Sequence, residues 1–169
     1  MPPRFQHYPD LPQQTAQGLA MTVLTGAWQG QQAPTEVHSP LVGVDMQAQQ
    51  PTSVNLALRP DFEYGVLCLY GDLKVNGQPA PADQLVFVPQ GSQQLQVDCG
   101  ADTRFMLLGG EPYEGGVVMW WNFIGQSQQE IEQFLTDWNR GVGFGAPVAS
   151  PLPQLVAPTL QGMQLRAPG

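Results

Sequence analysis

Apolar positions in the first two thirds of the chain fall into short runs that are separated by turn residues. Residues 54–58 alternate larger apolar side chains with Asn55 and Ala57, which predicts a half-buried strand. Residues 66–70 form a continuous apolar run, which is typical of a strand inside a sandwich, and Asn76-Gly77 marks a tight hairpin turn. The predicted strands are 19–27, 41–47, 54–58, 66–70, 73–75, 84–88, 94–97, 103–108 and 117–121. Many short strands with frequent turns indicate an all-β sandwich or barrel.

One helix is predicted after the last strand. Ser127 stands three residues before Glu130, which forms a capping box, and Gly141 is a natural helix stop. Between them, apolar side chains recur at i, i+3, i+4 and i+7: Ile131, Phe134, Leu135 and Trp138. This spacing makes one apolar stripe, which we expect to pack on the barrel; an exposed stripe that receives a partner is the other interpretation.

The same pattern predicts three regions along the chain. Residues 1–17 are rich in Pro and Gln and are expected to form an extended arm, while residues 18–145 are expected to form a single domain. Residues 146–169 are rich in Pro and are expected to be an extended tail on the surface. The expected fold class is therefore an all-β sandwich or barrel, a class that includes jelly-roll barrels, with one C-terminal amphipathic helix.

The charge distribution narrows the possible partners. The formal net charge is −8 and there are only six Lys and Arg, which are scattered along the chain. Nucleic acids and anionic membranes require clustered cations, so neither is an expected partner. No apolar run approaches the roughly 20 residues that span a bilayer, and the N-terminus lacks the apolar centre of a signal peptide. We therefore expect a cytoplasmic protein in which Cys68 and Cys99 are reduced.

Several motifs follow one another in an order that resembles the pirin family of two-domain cupin proteins. They are TEVHSPLVGVDM at 35–46, YGVLCLYGDLKVNG at 64–77, LLGGEP at 107–112, MWWNF at 119–123, QEIE at 129–132 and GFG at 143–145. The resemblance covers roughly residues 3–147 and is to the C-terminal half of pirins. It implies a cupin-type double-stranded β-helix, present here either as a free-standing domain or as part of a two-domain protein.

The same resemblance bears on metal binding. Pirins bind iron through three His and one Glu in their other half. The matching positions here, residues 60–67 and 88–96, contain Glu63 and Gln side chains but no His. The chain's two His are His7, expected to be a solvated tail residue, and His38, expected to bond a backbone group. We therefore expect no metal or other cofactor, with iron present only if a metal-binding cupin partner is present.

Candidate site residues form two groups. Glu63, Gln93, Gln94 and His38 are candidates for a polar pocket, the first three inside the barrel. Glu111, Trp120, Trp121 and Trp138 are candidates for interface or structural roles. In pirins the stretch matching LLGGEP lies near the contact between the two domains, so Glu111 is expected to cap backbone amides there. Trp120 and Trp121, as neighbours on a strand, are expected to point to opposite faces.

Other motifs favour no chemistry. Cys68 lies in an apolar strand and is expected to be an inert buried thiol, while no cation adjoins Cys99 in sequence. The Gly-Gly pairs at 109–110 and 115–116 lack the Lys-Ser/Thr or helix start of a phosphate loop, so we expect turns there.

Three functions are compatible with these observations. The first is a non-catalytic pirin-like cupin half that packs on a partner cupin or on its own copy, which favours a two-fold homodimer. The second is part of a quercetin 2,3-dioxygenase, an activity of some bacterial pirins, with the metal in another domain. The third is a metal-free small-molecule binder that uses the barrel interior.

Overall fold

The computed structural model describes residues 5–145 and 151–167. Within these residues the contacts separate two compact units: one is Tyr8–Pro112, and the other combines the residues from Tyr113 onward with those before Tyr8. The elements are β1 (Gln13–Ala16), β2 (Leu19–Trp28), β3 (Gln31–Gln32), β4 (Leu41–Ala48), β5 (Thr52–Ala57), β6 (Glu63–Tyr70), β7 (Leu73–Val75), β8 (Gln78–Pro79), β9 (Leu85–Val88), β10 (Gln94–Cys99), β11 (Thr103–Gly110), β12 (Val118–Trp120), β13 (Phe123–Gly125) and α1 (Gln128–Arg140).

The first unit is a sandwich of two antiparallel sheets. The larger has the order β1-β2-β4-β11-β6-β9 with β3 on β2, and the smaller has the order β5-β10-β7-β8. Every second side chain faces the interior, so cross-strand rows such as Val44–Leu107–Val66 are fully buried. Leu56 and Leu95 from the smaller sheet join the same apolar cluster. This all-β arrangement is jelly-roll-like, as the family resemblance implied, and belongs to the sandwich or barrel class that the strand pattern predicted.

The predicted strands are present, with ends that shift by a few residues. Two segments differ in kind. The predicted arm contains β1, which pairs with β2. The predicted turn at Gly109 and Gly110 is wrong, because both residues lie in β11 and pair with β4 and β6. A Cβ at Gly109 would come within 2.4 Å of the Tyr64 ring, so glycine at this position leaves room for the tyrosine and does not turn the chain.

The second unit is built on the predicted helix. The Ser127 hydroxyl accepts a hydrogen bond from the Glu130 amide at 3.2 Å, and Gly141 ends the helix in the left-handed conformation. These caps confirm the start and stop signals. The apolar stripe of α1 packs with the β12–β13 hairpin and with the C-terminal segment in one cluster, whose buried members are Val118, Phe123, Ile131, Leu135, Ala157 and Leu160.

Residues 151–167 contain neither helix nor strand, yet they are attached to this unit. Ala157 and Leu160 are buried. The amide of Ala157 donates to the Asn139 side chain at 2.9 Å, and the indole N–H of Trp138 donates to the Leu155 carbonyl at 2.7 Å. The segment therefore contributes core and hydrogen bonds to the helical unit. The domain limits at 17/18 and 145/146 stay predictions, and residues 146–150, 168 and 169 lie outside the described residues.

Candidate interaction surface

The outward face of the seven-stranded sheet divides into a polar half and an apolar half. Strand register sets this division, because residues directly opposite each other share a face. The polar half lies on β1, β2, β4 and the start of β11 and comprises Gln13, Thr15, Thr22, Asp45, Gln47 and Arg104. The apolar half, which we call the apolar face, lies on β11, β6 and β9 and comprises Met106, Leu108, Gly65, Leu67, Leu85 and Phe87.

The apolar face is exposed to solvent. Leu85 is 59% exposed, Phe87 is 61% exposed and Leu108 is 42% exposed. Leu85 lies over Gly65, where a Cβ would come within 2.8 Å of a Leu85 methyl group. Scattered exposed apolar residues are ordinary on a protein surface, but large ones that adjoin on one sheet face are a mark of an interaction site.

An open groove of about 340 Å³ runs along the apolar face and ends at two carboxylates. Leu85, Phe87 and Leu108 line it, and Glu63 and Glu111 lie at its end. Each carboxylate follows from register: Glu63 begins β6 opposite Gly110, and Glu111 directly follows that glycine. The groove therefore has apolar walls and an acidic end.

The loop before β6 is held by polar contacts. The Tyr64 hydroxyl accepts a hydrogen bond from the Arg59 amide at 2.9 Å, and burial raises the pKa of Tyr64. The Arg59 guanidinium donates to both carboxylate oxygens of Asp61, and this hydrogen bonding lowers the pKa of Asp61. The same guanidinium lies 4.1 Å from the centre of the Phe62 ring. Arg59 and Asp61 are therefore paired, Tyr64 is hydrogen-bonded, and these contacts fix the start of β6.

The structure brings together some of the predicted site residues and separates others. Glu63 and Glu111 share the groove. Gln93 and Gln94 are exposed at the start of β10, on the other sheet, so neither fills the apolar interior. His38 is exposed, with its Nε2 4.0 Å from a Glu36 carboxylate oxygen. A pocket formed by all four polar residues stays a prediction.

The three predicted tryptophans belong to the helical unit. Trp120 donates its indole N–H to the Pro158 carbonyl at 2.8 Å. Trp121 lies in the turn after β12 with a φ of 53°, so the expectation that both tryptophans lie on one strand and point to its opposite faces is wrong. Both are partly buried against the same apolar cluster, and Trp121 meets Trp138 edge to face at 5.6 Å. Their observed contacts are structural.

The apolar face is not among the predicted site residues, although the sequence contains a signal for it. The run Leu-Val-Phe-Val at 85–88 is entirely apolar, and a strand has two faces. Val86 and Val88 face the interior, so Leu85 and Phe87 lie on the opposite face of the strand. That face is exposed unless a second layer covers it. Leu67 repeats the pattern within the continuous run of β6.

Known proteins that are similar to this chain identify its family. A model of the pirin C-terminal cupin domain matches residues 43–145. The chain belongs to the pirin family. A Pseudomonas aeruginosa protein provisionally named quercetin 2,3-dioxygenase is 40% identical over 94% of this chain and 50% of its own length. A pirin-like protein of Caulobacter vibrioides is 30% identical over 82% of this chain and 48% of its own.

A solved pirin relative has the same architecture. The crystal structure of a quercetin 2,3-dioxygenase from Acinetobacter baumannii superposes with a TM-score of 0.88 and 36% identity. The superposition covers 96% of this chain and 55% of that one. The fold is therefore a cupin, as the resemblance implied. This pirin-family chain spans about half the length of the curated relatives it matches.

The side chains present do not fit the metal site that the family resemblance implies. That site requires three His, and this chain has two. Within residues 5–145 and 151–167, no three His, Cys, Asp or Glu side chains lie together as a metal-binding group. The mixed imidazole and carboxylate set that suits iron is therefore not assembled by the described residues. Whether the protein carries any cofactor stays a prediction.

The described part of the chain also has no helix long and apolar enough to cross a membrane. The cytoplasmic location and the lack of nucleic-acid and membrane partners stay predictions.

The two thiols are expected to be unreactive in the folded protein. Burial raises the pKa of Cys99 from 9.0 to about 11, with Asp98 adding to the effect, and burial likewise raises the pKa of Cys68. Since the thiolate is the reactive form, neither should react with a chromogenic disulfide reagent at pH 8, and both should react in urea. A native thiol that reacts at the unfolded rate would contradict this placement.

The same shifts set a pH dependence. For Cys99 the folded-state pKa is raised, so its contribution to stability is fully present below pH 9 and is lost as the pH rises toward 11. The urea midpoint should therefore fall across this alkaline window, and Cys99→Ser should reduce the fall.

Proposed function

We propose that this chain is a non-catalytic pirin-type cupin half that packs through its apolar face on a second cupin, either a metal-binding partner or its own copy. The observation that supports it is the adjoining exposed side chains Leu85, Phe87 and Leu108 on one sheet face. Family membership adds that the relatives are about twice as long as this chain. A domain with this face is suited to a neighbour of similar size.

Apolar burial is the expected source of affinity. Fully burying a Leu or Phe side chain contributes about 1.5–3 kcal/mol. More than half of Leu85 and of Phe87 is still exposed, so covering both contributes roughly 2–3 kcal/mol. The polar half of the same face would then form the rim of the interface, as in protein–protein contacts generally.

The test uses two surface variants of the full chain. The chain is co-expressed with the half of the Pseudomonas aeruginosa relative that lies outside the matched segment, and its own association is followed by light scattering. Leu85→Glu with Leu108→Glu places two charges on the apolar face and should abolish both kinds of association. Gln47→Glu, on the polar half of the same face, is the matched control and should leave association unchanged. Unaltered association of the double variant, or no association of the wild type with either partner, would contradict the proposal.

A second candidate function follows from the names of the relatives. Several are named as quercetin 2,3-dioxygenases, and the chain matches half of each. In such a protein this half would support the active domain by packing, with the metal held elsewhere. Quercetin turnover by the co-expressed pair, but not by the chain alone, would favour this function. Turnover by the chain alone would argue against the metal in another domain.

A further inference from the structure

The sandwich has four sheet edges within the described residues, and one of them differs from the rest. β1 and β9 end the larger sheet, and β5 and β8 end the smaller. The outward residues of β1 are Gln13 and Thr15, those of β5 are Ser53, Asn55 and Ala57, and β8 is only two residues long and contains Pro79. The outward residues of β9 are Leu85 and Phe87.

Edge strands are normally protected because their free N–H and C=O groups can pair with another chain. Charged side chains, Pro and very short length are the usual protections. β9 (Leu85–Val88) has none of these: it is four residues of high β propensity without charge, Gly or Pro. Pro89 follows directly and limits any pairing to this stretch. The edge is therefore a short and defined template for one more strand.

We propose that β9 pairs antiparallel with β9 of a second copy of this chain, about a two-fold axis at Val86. The seven-stranded sheets of two copies then join into one continuous sheet, and the two apolar faces adjoin on the same side. This inference rests on the proposed function for its choice of partner, the chain's own copy, and the edge pairing brings the two apolar faces side by side.

Two conditions select the register: the two-fold symmetry of the pair, and the requirement that opposite residues lie on the same face of the sheet. Directly opposite residues in an antiparallel pair lie on the same face, so the axis must pass at a residue and not between two. An axis at Val86 places Leu85 opposite Phe87 of the partner copy, on the outward side. It also gives each of the four residues of β9 a partner, with Val88 opposite Gln84 of the partner copy. Pro89, which has no N–H, is not needed. Cross-strand pairs of aromatic and aliphatic side chains are favourable in sheets.

Charge is compatible with a second copy as the partner. The chain has a net charge of −8, so two copies repel unless they meet where charge is absent. Between Asp83 and Asp98 there is no charged residue. In the proposed register Asp83 lies opposite Pro89 of the partner copy, and the two Asp83 carboxylates fall at opposite ends of the pair. A basic partner would find no carboxylate along β9 to pair with.

Cysteine pairs test the register directly. Opposite residues have Cβ atoms about 4.5–5.5 Å apart and diagonal ones about 7–8 Å, so only opposite cysteines lie near disulfide reach. Leu85→Cys protein mixed with Phe87→Cys protein should form a mixed disulfide dimer under mild oxidation. Each single variant alone should form little, and the native thiols, which are buried, provide the background in the wild type. Equal linking in all samples, or none in the mixture, would overturn the register.

A charge substitution separates this inference from the proposed function. Phe87→Lys should weaken dimerisation roughly 10- to 100-fold, because the contact of Phe87 with Leu85 of the partner copy occurs twice in the symmetric dimer and is lost both times. Met119→Lys is the control, since Met119 is as exposed, at 62%, but lies in the other unit. A dimer that survives Phe87→Lys overturns the inference and leaves the proposed function standing. A wild type that stays monomeric but still binds the half of the Pseudomonas relative has the same consequence. A wild type that neither dimerises nor binds the half of the Pseudomonas relative overturns both.

Discussion

Replacing Gly26 with alanine is expected to prevent stable folding of the sandwich. Gly26 lies in β2 with a φ of 69°, and a Cβ there would come within 1.8 Å of the Leu41 carbonyl oxygen. That oxygen belongs to the backbone at the start of β4, and β2 and β4 are paired along their length, so neither strand can move alone. The clash and the left-handed backbone together should cost more than about 4 kcal/mol, a large part of a typical domain's stability.

Gly30→Ala is the matched control for this prediction. Gly30 has a similar φ of 82°, but a Cβ there meets nothing within 4 Å. Its cost should be only the backbone term of about 1–2 kcal/mol. Urea denaturation followed by tryptophan fluorescence measures both variants. Equal losses of stability would show that the close approach of β2 to β4 at Gly26 is wrong.

Replacing Ile131 with alanine should have the second largest effect, and it should be confined to the helical unit. Ile131 is fully buried on α1, within a small cluster to which the described part of the chain contributes six buried residues. Removing a buried Ile costs about 2–5 kcal/mol, because the transfer free energy is lost and a cavity remains. In hydrogen exchange measured by peptide, amides of α1 should lose protection.

Ile124→Ala provides the control in the same unit. Ile124 lies on β13 and is 60% exposed, so its truncation should change stability by no more than about 0.5 kcal/mol. Similar exchange in the two variants would contradict the packing of the α1 stripe against the β12–β13 hairpin and the C-terminal segment.

Local signals in the sequence were sufficient for most of the described strands and for the helix. Alternation located β5, the Asn76-Gly77 turn located the hairpin of β7 and β8, and Ser127 with Gly141 located both ends of α1. These features depend on neighbours within a few residues, so a sequence pattern contains them. The motifs then allowed the family to be recognised, which the match over residues 43–145 confirms.

The errors arose where distant residues decide the structure. Gly109 looks like a turn residue, but its role depends on Tyr64, which is 45 positions earlier in the chain and lies directly opposite it across the β11–β6 pair. Trp121 looks like part of a strand, but it turns the chain at a positive φ and packs on Trp138. The apolar face was not predicted, because an apolar run alone does not show which of its side chains are covered by another layer.

The candidate site was predictable only in part. Glu63 and Glu111 were named separately and for different roles, and register places them at one end of the same groove. Gln93 and Gln94 are predicted to supply polar contacts inside the barrel, yet both are exposed. Which side of a strand a polar residue takes is settled by packing across the sandwich.

Metal content tests most directly whether this pirin-family half supplies packing surface and has no iron site of its own. The purified chain would be incubated with ferrous iron without oxygen, dialysed, and measured by elemental mass spectrometry beside Glu63→Gln, which removes the only glutamate in residues 60–67 and 88–96, the segments that match the family's ligand positions. We predict retained iron far below one ion per chain, with no difference between the two proteins. Near-stoichiometric iron in the wild type would show that the chain has an iron site of its own, and loss of that iron in Glu63→Gln would place the site at Glu63.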